Sequence, residues 1–368
     1  MNQTLPASKK KERIYFLDIL RIFAFISVLV GHKFYDYVVN YSNNLEAHET
    51  LRFIARALIP VFQGGGAGVV IFFLVSGYII CHVLQSEKTL EFIIKRIFRI
   101  YPLYIAAVLI QYSPIFLAGQ IPDISNLLKQ LLLIGDFFGT SYTLNGVEWT
   151  LRIEIMFYLY MAVLHKVGFL NKFKIVLPYI FIFTVAAFSY FAPLPSEDIW
   201  SKGYITIYGP FLLLGTMFYM YESRNCSGFI CFLFTLIVFY NYYYLIETFQ
   251  PRWLGAHFAA IAFFIFLSCW LLRAQFKLGA LGILLSDLTY SVYLFHNWFF
   301  DYTKDYLKKN NIEFLHADAQ ALIILIIVCY LAVILIEKPC IRLGRRFLRA
   351  IPNLQNRVAK IYVKNAAH

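Results

Sequence analysis

Apolar blocks of about 18 to 25 residues recur along the chain, separated by polar interruptions. That is the length an α-helix needs to cross the hydrocarbon of a bilayer, whereas the strands of a membrane barrel need only about ten alternating residues. With 60% hydrophobic residues and 15% charged ones, the chain has too little polar surface for a water-soluble domain. The expectation is an all-α polytopic membrane helix bundle of about ten transmembrane helices, near 15–40, 67–85, 98–118, 147–166, 174–192, 203–222, 228–247, 254–272, 281–302 and 319–342.

Placing the amino terminus in the cytoplasm puts 22 Lys and Arg in inner segments and nine in outer ones, with Arg21 and Arg152 inside spans. This asymmetry predicts that both termini are cytoplasmic. The expected organisation is a basic tail over 1–14, a transmembrane domain over 15–345 and a second basic tail over 346–368. Lys9, Lys10, Lys11 and Arg13 run straight into the first span without a small-residue cleavage site, so that span should stay in the membrane. Trp149, Trp200, Trp253 and Trp298 all fall at predicted outer boundaries, and Tyr240, Tyr242, Tyr243 and Tyr244 crowd the outer half of the seventh span, as in an interfacial aromatic belt. The net charge of +12 is dispersed over many short loops, which argues against nucleic-acid binding. The six cysteines show neither CxxC pairing nor a metal-ligand cluster, so no metal is expected.

The first span carries Asp18, Arg21 and His32, and ionisable groups inside a bilayer are costly and usually functional. Arg21 and His32 are eleven residues apart, about three full turns, so they share one helical face about 16 Å apart along the axis. Asp18 precedes Arg21 by three residues and Asp36 follows His32 by four, spacings at which helical side chains meet. A glycine run, Gln63 to Gly68, lacks the Gly-Lys-Ser/Thr ending of a phosphate loop and reads as a hinge or a close-packing element. The outer segment from Gly119 to Gly146 contains a short apolar piece, Leu127 to Ile134, suited to lying at the interface or dipping into the bundle as a lid.

Three further sets carry chemistry. Arg96 and Arg99 stand three residues apart where a span begins and, with Lys88, suit either phosphate binding or positive-inside anchoring. In the fourth span Glu154 is placed at a depth near that of His32, where a carboxylate would orient the imidazole of a general base; Arg152 is an alternative partner for Glu154. The run Ser286 to His296 ends with His296 near the outer face, a secondary candidate.

These residues resemble the membrane acyltransferase 3 family. The Arg21-x10-His32 motif follows Phe16-Leu17-Asp18, and the matching segments recur in order: Gly68 to Gly77, Arg96 to Pro102, Trp149 to Glu154 with Phe157 and Tyr158, Ser291 to His296, and Glu337-Lys338-Pro339. The resemblance implies a ten-span enzyme of the bacterial inner (cytoplasmic) membrane, taking an acyl group, commonly acetyl, from cytoplasmic acyl-CoA as co-substrate. The acceptor would be a glycan hydroxyl or a lipid-linked saccharide, as in lipopolysaccharide or exopolysaccharide. His32, Arg21 and Glu154 match the catalytic positions, Arg96, Arg99 and Arg21 the donor-binding ones, and Trp149, Tyr293 and His296 are candidates for the acceptor. Arg152 and Ile153 depart from the small or polar residues common before Glu154, and the chain leaves no room for the soluble esterase-like domain of longer members. The alternative is a multi-span transporter of a small anionic or acyl substrate, which would show two repeated halves; the sequence shows no clear internal repeat.

Overall fold

The computed structural model describes residues 13–140, 142–196, 202–312 and 314–350. The two basic tails, apart from residues 13–14 and 346–350, and Trp200 lie outside the described residues. Among the described residues the chain is helical, with no strand. In order the helices are α1 (Tyr15–Lys33), α2 (Tyr35–Asn43), α3 (Glu49–Phe62), α4 (Gly66–Leu84), α5 (Thr89–Leu117), α6 (Ile124–Leu131), α7 (Glu148–Val167), α8 (Leu177–Tyr190), α9 (Tyr204–Glu222), α10 (Gly228–Phe249), α11 (Phe258–Leu271), α12 (Ala280–Phe295), α13 (Trp298–Lys309) and α14 (Ala317–Ala332). A π-turn, Val333–Glu337, carries α14 onward to Ala350.

Among the described residues, five helical stretches are long and apolar enough to cross a membrane: Tyr15–Lys33, Glu49–Leu84, Thr89–Leu117, Gly228–Phe249 and Ala317–Ala350. Lys174–Tyr190, Phe258–Leu271 and Ala280–Phe295 are apolar but shorter. Helix α7 has a spanning length but buries Glu148, Arg152 and Glu154 among protein neighbours rather than facing lipid.

The centre of the bundle is the α4–α9 pair, and glycine lets the two backbones touch. A Cβ on Gly77 would sit 1.8 Å from the Leu212 carbonyl oxygen, and one on Gly215 would sit 2.0 Å from that of Leu74. Small residues at such crossings permit the dense packing that holds helices together in lipid, where the hydrophobic effect between helices vanishes. Thr216 Oγ1 adds a hydrogen bond to the Gly77 carbonyl at 3.1 Å.

Helix α1 is the seam between two apolar clusters. Phe16, Leu20 and Val28 pack into the cluster built around α4 and α9, whereas Phe25 and Leu29 pack with residues of α5, α7, α12 and α14. Its end is set by the glycine run: a Cβ on Gly31 would lie 2.3 Å from the Phe62 carbonyl oxygen, and Gly64 and Gly65 turn the chain at φ +57° and +67°. Of the two readings of that run, the structure displays close packing.

Two expectations are corrected here. The first span does not run to residue 40: α1 stops at Lys33 and α2 starts at Tyr35, so Asp36 belongs to another helix and loses its i+4 relation to His32. Nor do the described tryptophans all form a lipid-facing belt, because Trp298 is buried and donates Nε1–H to the Leu294 carbonyl at 3.1 Å, while Trp149 and Trp253 turn towards an internal cavity.

Candidate active site

The end of the bundle where α1 begins is called proximal below, and the end where α1 stops is called distal. A cavity of about 630 Å³ opens at the distal end. It lies among α1, the glycine turn, α7, α9, the Pro251–Ala256 turn and α12, and its wall includes His32, Trp149, Tyr208, Trp253, Tyr293 and His296. His32 occupies the last turn of α1, where its ring is exposed to this cavity.

The partner of His32 is His296. His296 Nε2 stands 3.0 Å from His32 Nδ1, and His296 Nδ1 stands 2.6 Å from the Tyr293 carbonyl oxygen. A carbonyl only accepts, so His296 carries its proton on Nδ1 and, when neutral, offers a lone pair at Nε2. His32 must then donate from Nδ1, which leaves its Nε2 unprotonated and basic. On that side the ring meets the glycine turn, where the Gly64 carbonyl, an acceptor, takes a hydrogen bond from the ring only once Nε2 has gained a proton, and a Cβ on Gly65 would be 3.5 Å from Nε2. Burial of His296, 1% exposed, holds the pair in one geometry.

Arg21 and His32 share a face of α1 about 16 Å apart, as eleven residues require. Arg21 Nη1 lies 3.4 Å from Asp18 Oδ1. Asp18 also binds Arg13 Nε at 2.6 Å and accepts from Ser286 Oγ at 2.6 Å, so α12 is tied to α1 at this end. Arg96 and Arg99, on the first turns of α5, lie within electrostatic reach of Arg21, and Glu154 faces both. Arg96 packs its guanidinium over Phe92 and Tyr158, at 5.3 and 5.8 Å, and its Nε is buried without a hydrogen-bond partner. Lys95 is taken up by Glu87 and Glu91, and the buried Glu337 of the π-turn faces Arg99.

Glu154 therefore belongs to the arginine cluster, and its expected pairing with His32 is not formed. Its Oε1 accepts from Ser76 Oγ at 2.8 Å and from the Tyr158 hydroxyl. The reason is depth. Thr150, one turn distal to Glu154, meets the Tyr293 hydroxyl at 2.5 Å, and Tyr293 is itself nearly a turn proximal to His296; at 1.5 Å per residue the two steps put Glu154 on the order of 10 Å below the histidine pair. Arg152 does not neutralise Glu154 either. It pairs with Asp136 and donates Nε–H to the Leu133 carbonyl, anchoring the 119–146 segment, whose residues Tyr142, Asn145 and Gly146 form part of the cavity wall.

Between the two ends, the face of α1 that carries Ala24 and Val28 borders a void of only about 10 Å³, closed by Phe72, Thr150 and Tyr293. The Tyr293 ring stacks on Phe72 with centroids 6.0 Å apart and planes 1° from parallel. Val28, Val69 and Tyr293 line both this void and the distal cavity, so the two are neighbours. Sequence reasoning kept His296 secondary and did not single out Ser76, Thr150, Trp253 or the Gly64 backbone as site components. The Tyr158–Glu154 contact alone had a local signal, the i, i+4 spacing on one helix.

Fold and site together define a multi-pass helical membrane protein holding a histidine pair in one cavity and an arginine cluster at the other end of the same helix. The chain belongs to the acyltransferase 3 family, whose profile, an acyltransferase domain, matches residues 14–337. It is thus a membrane acyltransferase, and the comparison lends nothing to the transporter alternative. Searches of curated proteins and of solved structures found no match.

Proposed function

We propose that the chain is an O-acyltransferase of about ten spans with both termini cytoplasmic, moving an acyl group, acetyl in the first instance, from cytoplasmic acyl-CoA to a hydroxyl of a cell-surface glycan or its lipid-linked precursor. The observation that carries this reading is the pair of sites on one face of α1: a cluster of arginines at one end and a cavity-facing imidazole at the other. Arg21, Arg96 and Arg99 would hold the phosphates of acyl-CoA, since guanidinium groups recognise phosphate through charge-assisted, bidentate hydrogen bonds. The extended pantetheine arm would follow the line of Ala24 and Val28, with Phe72 and Tyr293 moving aside, and bring the thioester to His32.

His32 Nε2 would take the proton of the acceptor hydroxyl as its oxygen attacks the thioester carbonyl. The carbon–sulfur bond breaks, the CoA thiolate leaves, and the imidazolium returns the proton to it. His296 acts as a positioning residue that fixes the His32 tautomer and accepts from Nδ1–H throughout. Glu154 serves the donor side, holding the arginines rather than the base, and Trp149 and Tyr293 contact the acceptor.

The test uses purified protein in lipid nanodiscs with radiolabelled acetyl-CoA. His32→Ala should abolish transfer and retain acetyl-CoA binding, whereas Arg21→Ala should weaken binding and turnover together. A His32→Ala protein that transfers at a near-normal rate removes the proposed base.

A further inference from the structure

The lining of the distal cavity bears on what the acceptor must be. Among the described residues, none of the side chains that line it is Asp, Glu, Lys or Arg. The cations nearest to it are otherwise engaged: Lys33 Nζ sits 2.7 Å from both carboxylate oxygens of Asp301, and Arg252 packs over the Trp253 ring at 5.5 Å without joining the lining. What the wall does offer is ring faces and neutral polar tips. Trp149 packs against Tyr204 at 4.2 Å and Tyr208 at 5.4 Å, and Trp253 stands opposite against Phe258 and Gly64. Asn145, Asn297 and the tyrosine hydroxyls supply hydrogen-bonding groups between the rings.

We infer that this cavity binds an uncharged pyranose, with its C–H face on Trp253, and discriminates against sugars that carry a carboxylate. The inference rests on the reading of the cavity as the acceptor site. Aromatic residues with an apolar body and a polar edge suit a ring whose faces are C–H and whose rim is hydroxyl. A volume of about 630 Å³ is that of a site for one or two sugar rings rather than a long chain. A uronic acid would bring a full negative charge into a wall with no cation to meet it, at the cost of desolvating the carboxylate. An acyl chain is the poorer occupant, because it would make no use of the hydrogen-bonding capacity that the asparagines and tyrosine hydroxyls keep beyond their bonds within the protein, such as Tyr293 with Thr150 and Asn297 with the Asn145 carbonyl. The groove among α9, α10 and α11, walled chiefly by Phe232, Phe239, Phe263 and Phe264, shows how a predominantly apolar site in this protein looks.

The experiment measures binding without chemistry. Purified full-length protein, with no acyl-CoA present, is titrated with the methyl glycosides of glucose, galactose, mannose and rhamnose, and with those of glucuronic and galacturonic acid, by saturation-transfer NMR and tryptophan fluorescence. At least one neutral glycoside should saturate, and the uronides should bind at least ~10-fold more weakly. Trp253→Leu should weaken the neutral sugar several-fold while Trp253→Phe largely keeps it, at equal thermal stability. Uronides that bind as well as neutral sugars, no binding of any neutral sugar, or indifference to Trp253→Leu overturns the inference. Acetyl-CoA turnover is followed separately. Sugar binding without turnover would remove the transferase reading and keep the neutral-sugar site, and turnover onto another hydroxyl without sugar binding would do the reverse.

Discussion

Replacing His296 separates its two contributions, because the residue touches His32 through one atom only. In His296→Phe the ring volume stays close to that of histidine, but His32 Nδ1–H loses its acceptor at 3.0 Å and the Tyr293 carbonyl loses its donor at 2.6 Å. The first loss frees the His32 tautomer and removes a hydrogen bond that strengthens when His32 becomes an imidazolium. A hydrogen bond to a charged group contributes about 1.5 to 3 kcal/mol, so kcat should fall by roughly 10- to 150-fold. His296→Gln presents a carbonyl oxygen to His32 and should recover most of that loss. The assay is single-turnover transfer from radiolabelled acetyl-CoA at saturating donor and acceptor, with donor affinity measured alongside and expected to be unchanged, since the arginines lie a whole helix length away. A Phe variant within threefold of the parent protein, or Phe and Gln variants that fall equally, would show that His296 does not position the base.

Four further outcomes are expected. Changing both Arg96 and Arg99 to Gln should raise the dissociation constant for acyl-CoA at least tenfold while the inserted protein keeps its thermal stability, and unchanged calorimetric affinity would leave them as membrane anchors. Glu154→Gln should raise KM for the donor more than it lowers kcat, since Glu154 faces the arginines and not His32; a pure kcat defect contradicts that placement. Gly77→Ala or Gly215→Ala should cost about 3 kcal/mol or more, because the new methyl would meet a backbone oxygen of the facing helix, whereas Gly255→Ala, with open space around it, should leave the melting temperature in detergent unchanged. Asp136→Asn should cost about 3 to 5 kcal/mol in the same melting assay by leaving the buried Arg152 guanidinium uncompensated, and should do so more than Asp305→Asn on the exposed face of α13.

What could be read from the sequence was what local periodicity encodes. The shared face of Arg21 and His32 follows from eleven residues at 100° each, the close packing at Gly64 to Gly68 from the absence of side chains, and the Arg96–Arg99 pair from its place at the start of an apolar block. The helix break at Phe34 was not legible, because Phe34 is neither Gly nor Pro and the turn is imposed by the packing of Gly31 against Phe62. The same holds for His296, which finds His32 across 264 residues of chain, and for Glu154, whose depth was judged from span ends uncertain by a few residues. A displacement of about two helical turns assigned it to the wrong end of α1. Trp298 was misplaced for a related reason: a tryptophan near a span end looks interfacial until the neighbouring helices are there to bury it.

The narrow void on α1 has a consequence for water. A space of about 10 Å³ with apolar walls holds at most one water molecule and offers it few partners. Among the described residues, this stretch of α1 leaves no room for a file of water between the arginines and the histidines while Phe72 and Tyr293 stay stacked. In the mechanism proposed above, the pantetheine arm would have to push these two rings apart to pass, and would fill the gap as it did so.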